Sequence, residues 1–162
     1  MAPQHVENLN NWMQTMVQLS DQPDSNGVKG WSHDCFGRAK VVAADADSAT
    51  FEYTVEKSDC NFSNNFHGGG IATLMDNLTT AAMFTRERKY FQFAGVSTDL
   101  HVTYVSAATL GMVLLLECKV VKVGAGLANT TAVLKEKATG RVLATGTHTK
   151  FNTDARMSGS KL

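Results

Sequence analysis

The sequence predicts an α+β domain in which one long helix packs on one antiparallel sheet. Three features predict it. A stretch from Ile71 onward is nearly free of charge, carries apolar residues at helical spacing, and follows Gly68, Gly69 and Gly70. Four extended runs come after it in meander-like succession, and two more precede it. A single helix covers only one face of such a sheet. Burying the remaining apolar edge and face therefore calls for further copies of the chain.

The elements read as follows along the chain. Val6, Leu9, Met13, Met16 and Val17 recur at helical spacing, and Ser20-Asp21-Gln22-Pro23 ends this short N-terminal helix. Residues 21–30 read as a loop turning at Asn26-Gly27. Two extended segments, 36–46 and 49–57, flank a break at Asp47-Ser48. The second alternates, with Phe51, Tyr53 and Val55 on one face and Glu52, Thr54 and Glu56 on the other. A polar loop, 58–66, leads to His67-Gly68-Gly69-Gly70, and the long helix runs from there to about Arg88. Runs 94–106, 111–123, 126–138 and 141–151 are the remaining strands. The chain divides into an N-terminal helix and loop (1–34), one central domain (35–151) and a flexible polar tail (152–162).

Composition removes several classes of function. A chain of 162 residues with 43% hydrophobic content builds one modest core. Its 15 basic and 15 acidic residues cancel, so the one-sided basic surface of a nucleic-acid binder is not expected. Cys35, Cys60 and Cys118 fit neither a disulfide framework nor a metal-ligand spacing, so a reducing compartment and no metal are expected. No apolar run reaches the roughly 18 residues of a membrane span, and neither a secretory signal nor a transit peptide is read at the N-terminus. The last three residues, Ser160-Lys161-Leu162, spell the tripeptide read by the peroxisomal import receptor. The expected location is the peroxisomal matrix.

The long helix carries the chemistry. At 100° per residue, Ile71, Leu74, Met75, Leu78, Ala81 and Ala82 share one stripe, the expected core face. Ala72, Thr73, Asp76, Thr80 and Met83 lie opposite, and Asp76 is the one charged residue between His67 and Arg86. A carboxylate on such a covered face is costly unless it is paired, hydrogen-bonded or used in a reaction. A structural aspartate bonded across an oligomer interface is the alternative. The glycines before it favour chemistry, because they leave helix N–H groups free and let a ligand approach closely, where a developing oxyanion gains from the helix dipole.

His67-Gly68-Gly69 followed by Thr73-Leu74-Met75-Asp76-Asn77 resembles the signature of PaaI-type hotdog acyl-CoA thioesterases. The run from Gly95 to Tyr104 resembles that family's GVSVDxxxTY strand, and Lys137 to Gly140 with Gly146 to Lys150 resembles its final hairpin. The similarity spans roughly residues 35–151. It implies a hotdog fold, an antiparallel sheet wrapped around the central helix. It also implies a dimer, or a dimer of dimers, with sites shared between subunits and no cofactor beyond the CoA of the substrate. Asp76 would then align or deprotonate the attacking water, with direct nucleophilic attack left open. Gly68 N–H and the Asn61 side-chain amide would polarise the thioester carbonyl, and Ser97 would hold the water. His67 would shape the start of the helix through a structural hydrogen bond, with acid–base work as the other reading. Cys60 is read as an inert thiol.

The resemblance places CoA contacts at Tyr104, Val105, Ser106, Ala107, Ala108 and Thr109. A second set is Lys122, Val123, Gly124, Ala125, Gly126 and Leu127, followed by Lys150 and Phe151. Relatives often carry a proline and a lysine at Ala107 and Thr109 and a basic residue at Ala125, which leaves Lys122 and Lys150 as candidate phosphate partners. The leading functional expectation is hydrolysis of fatty acyl-CoA. A hotdog enoyl-CoA hydratase or dehydratase using His67 and Asp76, and a non-catalytic acyl-CoA-binding module, are the alternatives.

Overall fold

In the computed structural model, which describes residues 4–22, 30 and 32–158, the central helix lies on one antiparallel sheet as expected. Helices α1 (Gln4–Ser20) and α2 (His33–Arg38) precede strands β1 (Lys40–Ala44) and β2 (Ser48–Thr54). After a 3₁₀ turn at Lys57–Asp59 comes the central helix α3 (Gly68–Ala81). Strands β3 (Val96–Tyr104), β4 (Val113–Val123), β5 (Leu127–Glu136) and β6 (Val142–Phe151) follow, then a short helix α4 (Asp154–Met157). The six strands run in the order β1-β2-β4-β5-β6-β3. β3 thus crosses over to become a sheet edge beside β6, with Ser97 opposite Lys150 and Tyr104 opposite Ala144.

Strand alternation builds the core. Phe51 of β2, Leu114 and Leu116 of β4 and Leu134 of β5 face the helix, which answers with Leu74, Met75 and Leu78, all fully buried. The predicted core face of α3 is therefore the observed one. Gly146 of β6 allows the helix to lie this close, since a Cβ there would stand 2.7 Å from Met75 Sδ. α1 closes the far end of the helix: Leu9 and Met13 are buried, and Trp12 stacks on Phe84 at 4.5 Å.

Three expectations need correction. The segment read as extended from residue 36 begins as helix α2, whose six residues are too few to show a period; Cys35 and Phe36 turn inward there. The long helix stops at Ala81, with a 3₁₀ turn at Ala82–Phe84, rather than continuing to Arg88. The carbonyls that further helical turns would use are taken from outside. Arg88 Nε donates to Met83 O at 2.8 Å, while Asn8 and His5 of α1 donate to Thr85 O. Finally, residues 154–157 of the polar tail are helical, and the Asp154 carboxylate accepts the N–H groups of Gln92 and Phe93. Asn26-Gly27 and Ser160-Lys161-Leu162 lie outside the described residues. No helix among the described residues is long and apolar enough to cross a membrane.

Gly95 sets the start of β3. Its φ is +65°, and a Cβ would meet Phe151 O at 2.5 Å. Gly95→Ala should therefore cost about 2–3 kcal/mol from left-handed strain plus a backbone clash. A denaturant titration reads this as a lower midpoint at unchanged slope.

Candidate active site

The functional residues fall into two groups at opposite ends of β3. The first surrounds the start of α3. His67 caps the helix, its Nδ1 accepting Gly69 N–H at 3.0 Å, which places the ring proton on Nε2. Tyr104 donates its hydroxyl to Gly68 O at 2.8 Å and packs its ring under Gly68. The Gly68 N–H, first of the helix, has no partner within it and is free to bind a ligand oxygen. Asn61 Oδ1 accepts the N–H groups of Ser63 and Asn65 at 2.9 and 3.2 Å, a loop-closing pair that leaves the Nδ2 donors available. Asn61, Gly68, Tyr104 and the run Val105 to Ala108 line one open cleft of about 400 Å³.

The second group surrounds Asp76, whose side chain is 42% exposed beside the β3 edge. Ser97 donates to its Oδ1 at 3.1 Å, and His148 Nε2 stands 3.3 Å from the same oxygen and 2.9 Å from Ser97 Oγ. Thr79 Oγ1 meets His148 Nδ1 at 2.7 Å, and Lys150 donates to Ser97 Oγ at 3.3 Å. The charge of Asp76 favours the tautomer with the proton on Nε2, so Ser97 receives His148 and Lys150 and passes one hydrogen bond to the acid. Burial, reinforced by the Lys150 charge and opposed by Asp76 and Asp99, pushes the His148 pKa down to about 4. Its ring is therefore neutral near pH 7, so the 3.3 Å approach to Asp76 is not an ion pair, and the imidazole hydrogen-bonds Ser97 instead. Burial likewise lowers the Lys150 pKa against the pull of Asp76.

Both groups hold residues expected from the sequence, but they lie well apart. Gly68 and Asp76 are eight positions apart on α3, a rise of about 12 Å. No single substrate atom meets both within one chain. The segments expected to hold CoA divide the same way. Tyr104 to Ala108 line the cleft at Gly68, with Thr109 bridged to Asn65 beside it. Residues Lys122 to Leu127 form the β4–β5 turn at the Ser97 end of the sheet, where Leu127 and Val96 both pair with Phe151. Lys122 is exposed there. Lys150 is placed differently from a surface phosphate ligand: it is 5% exposed, and its ammonium points at Ser97. Alternation explains it, since Phe151 faces outward and its neighbour must face in.

Sequence reasoning missed His148 and Thr79. A signal was present: Ala144, Gly146, His148 and Lys150 share the inward face of β6, and an imidazole and an ammonium interrupt an otherwise core-facing row. Among the described residues no group of three or more His, Cys, Asp or Glu is placed to hold a metal.

The family model of the thioesterase superfamily matches residues 63–143, which include every residue of the Asp76 group except His148 and Lys150. Human acyl-coenzyme A thioesterase 13 is 40% identical over 114 residues, 70% of this chain and 79% of that protein. The chain belongs to the thioesterase superfamily. Its fold agrees with that of the superfamily's solved members. Zebrafish thioesterase superfamily member 2 superposes with a TM-score of 0.74 at 33% identity, covering 89% of this chain and 97% of that one. The mouse protein of the same name gives 0.72 at 29% identity, over 90% and 96% of the two chains. The expected hotdog fold, the PaaI-type kinship and the class of thioester hydrolase are thus borne out.

The buried imidazole ties this thioesterase's stability to pH. An unfolded chain protonates His148 near pH 6.5, whereas the folded one resists until about pH 4. Over that window the unfolded state binds the extra proton, so stability falls as pH drops and levels off below it. Replacing His148 with Gln should flatten that part of the pH–stability curve. An unaltered slope between pH 6.5 and 4 in chemical denaturation would contradict the assignment.

Proposed function

We propose that the chain hydrolyses fatty acyl-CoA to a free fatty acid and CoA at two equivalent sites, each shared across a symmetric dimer. The observation that carries this reading is the separation of the carbonyl-binding and water-binding groups to opposite ends of an unpaired edge strand. Among the described residues β3 pairs only with β6, so its outer edge presents free backbone N–H and C=O groups. A second β3 laid antiparallel to it, about a two-fold axis near Leu100, sets the Ser97 end of each strand against the Tyr104 end of the other. Asp76 of one protomer then faces the Gly68 and Asn61 donors of its partner.

In that arrangement the thioester carbonyl oxygen accepts from Gly68 N–H and Asn61 Nδ2. Asp76, whose Oδ1 is held by Ser97, turns its other oxygen to a water and takes a proton as the water adds to the carbonyl carbon. The tetrahedral oxyanion is stabilised by the two donors. Its collapse breaks the carbon–sulfur bond, and the proton held by Asp76 passes to the departing thiolate of CoA. The fatty acid leaves as product, and no group outside the chain and substrate is required. Tyr104 to Thr109 and Lys122 to Leu127, with Phe151, border the two ends of such a shared cleft and are the surfaces offered to CoA. Human acyl-coenzyme A thioesterase 13 is a relative whose name supports an acyl-CoA substrate.

One experiment tests chemistry and sharing together. Asp76→Asn removes the base, and Asn61→Asp keeps the loop-closing acceptor while removing the Nδ2 donor. Each variant alone should lose about a hundredfold or more in kcat on lauroyl-CoA. Co-expressed as a mixed dimer, the two leave one intact site, and activity should return to about half of the wild-type dimer. No recovery in purified mixed dimers would exclude the shared site, and wild-type activity in Asp76→Asn would exclude the chemistry.

The peroxisomal address at Ser160-Lys161-Leu162 belongs to the same proposal. A fluorescent protein carrying residues 152–162 at its C-terminus should collect in peroxisomes, and diffuse fluorescence would remove that part of the reading.

A further inference from the structure

We infer that the Arg38–Asp59 pair is a positioning clamp for the carbonyl-polarising donors, acting on Asn61 and Gly68 from outside the site. The inference rests on the reading of residues 60–68 as the carbonyl-binding side.

Asp59 stands at the neck of the loop that carries both donors. One end of the loop, Cys60, follows it in the chain. The other end returns to it, because His67 N–H donates to Asp59 O at 2.8 Å. Between them the loop is closed by Asn61 N–H to Asn65 O at 2.8 Å and by a bridge from Cys60 to Phe66. Asn61 is two residues past the neck on the way out, and Gly68 is one residue past it on the way back. A tilt of the Asp59 peptide therefore shifts both donors together, and the Asp59 side chain decides whether that peptide tilts.

That side chain is fixed from four directions. Arg38 NH1 and NH2 donate to Oδ1 and Oδ2 at 2.9 and 2.7 Å in a two-pronged pair. Tyr53 OH donates to Oδ1 at 3.1 Å, and Glu56 N–H donates to Oδ2 at 2.8 Å. Arg38 is held in turn: NH2 also donates to Thr54 O at 2.9 Å, and the guanidinium carbon sits 4.6 Å over the Tyr53 ring. Burial works to raise the Asp59 pKa, but the Arg38 hydrogen bonds with those of Glu56 and Tyr53 lower it on balance, so the acid stays charged. With 11% of its side chain exposed, Asp59 cannot rely on water to replace a lost partner. The hydrogen bonds and ion pairs of the clamp reach none of Asp76, Ser97 and His148, so its influence belongs to the carbonyl side alone.

The test uses the full-length chain, with Arg38→Ala and Arg38→Lys. Hydrogen exchange followed by mass spectrometry reads the loop directly. In Arg38→Ala the segment 60–68 should exchange at least about tenfold faster while the second half of α3 keeps its protection. In kinetics with lauroyl-CoA, kcat per folded molecule should fall at least about tenfold with KM changed less than twofold. Millimolar guanidinium should restore part of the rate in Arg38→Ala, and Arg38→Lys, which keeps charge without the fork, should lie between. Unchanged exchange in 60–68 would overturn the clamp, whatever the activity. So would a loss of thermal stability alone with kcat intact. A wild-type chain that does not hydrolyse acyl-CoA would defeat the functional reading instead, and the exchange experiment would still decide whether Arg38 holds the loop.

Discussion

The close contact between α3 and the inward face of β6 is the constraint on which the rest depends. Gly146 lets the helix settle against the strand at the level of Met75. The next helical residue is Asp76, and the next two inward positions of β6 are His148 and Lys150. Once the helix is seated, the acid lies at the open side of a polar pocket built into a core. Thr79, one turn further along α3, closes the back of that pocket through His148 Nδ1. A larger residue at 146 would lift the helix and open every one of these contacts, which is how a packing requirement becomes a chemical one.

The same helix is also the ground for proposing a site shared between two protomers. Its first turn offers free N–H groups, and its third offers the carboxylate, so the two cannot meet at one carbon. β3 runs beside it with the donors near Tyr104 and the acid near Ser97. An edge strand whose two ends hold complementary halves of a site is most simply completed by a second copy running the other way. In the proposed dimer the exposed edge, normally a liability, becomes the device that assembles the chemistry.

Much of this was legible in the sequence, for physical reasons that differ by element. The central helix was readable because its apolar stripe has the period of a helix packed on one side, and Asp76 stood out because no other charge competes with it. The strands were readable from turns at Thr139-Gly140 and Gly124 to Gly126. The helix end was not, because it is set by Asn8, His5 and Arg88, distant partners that take carbonyls from residues 83 and 85. α2 was hidden by its six-residue length. Lys150 was read as a surface cation because a lysine near a strand end usually is one. Only the register of β6, with Phe151 outward, turns it inward.

The structure also separates the hydrolytic reading from its two alternatives. A hydratase of this fold needs a histidine base and a carboxylate converging on one substrate carbon. His67 is committed elsewhere, with its Nδ1 occupied by Gly69 N–H as the helix cap. His148 lies near the acid but is sealed behind it, with a side chain fully buried and a pKa held near 4, so it reaches Ser97 and Asp76 rather than a substrate. A pure binding module fares no better. Burying an imidazole, an ammonium and the Thr79 hydroxyl in a small core carries a desolvation cost that ligand capture by an apolar groove would not require. What those groups do together is orient one half-exposed carboxylate toward solvent at a sheet edge, and a carboxylate held that way is suited to activating water.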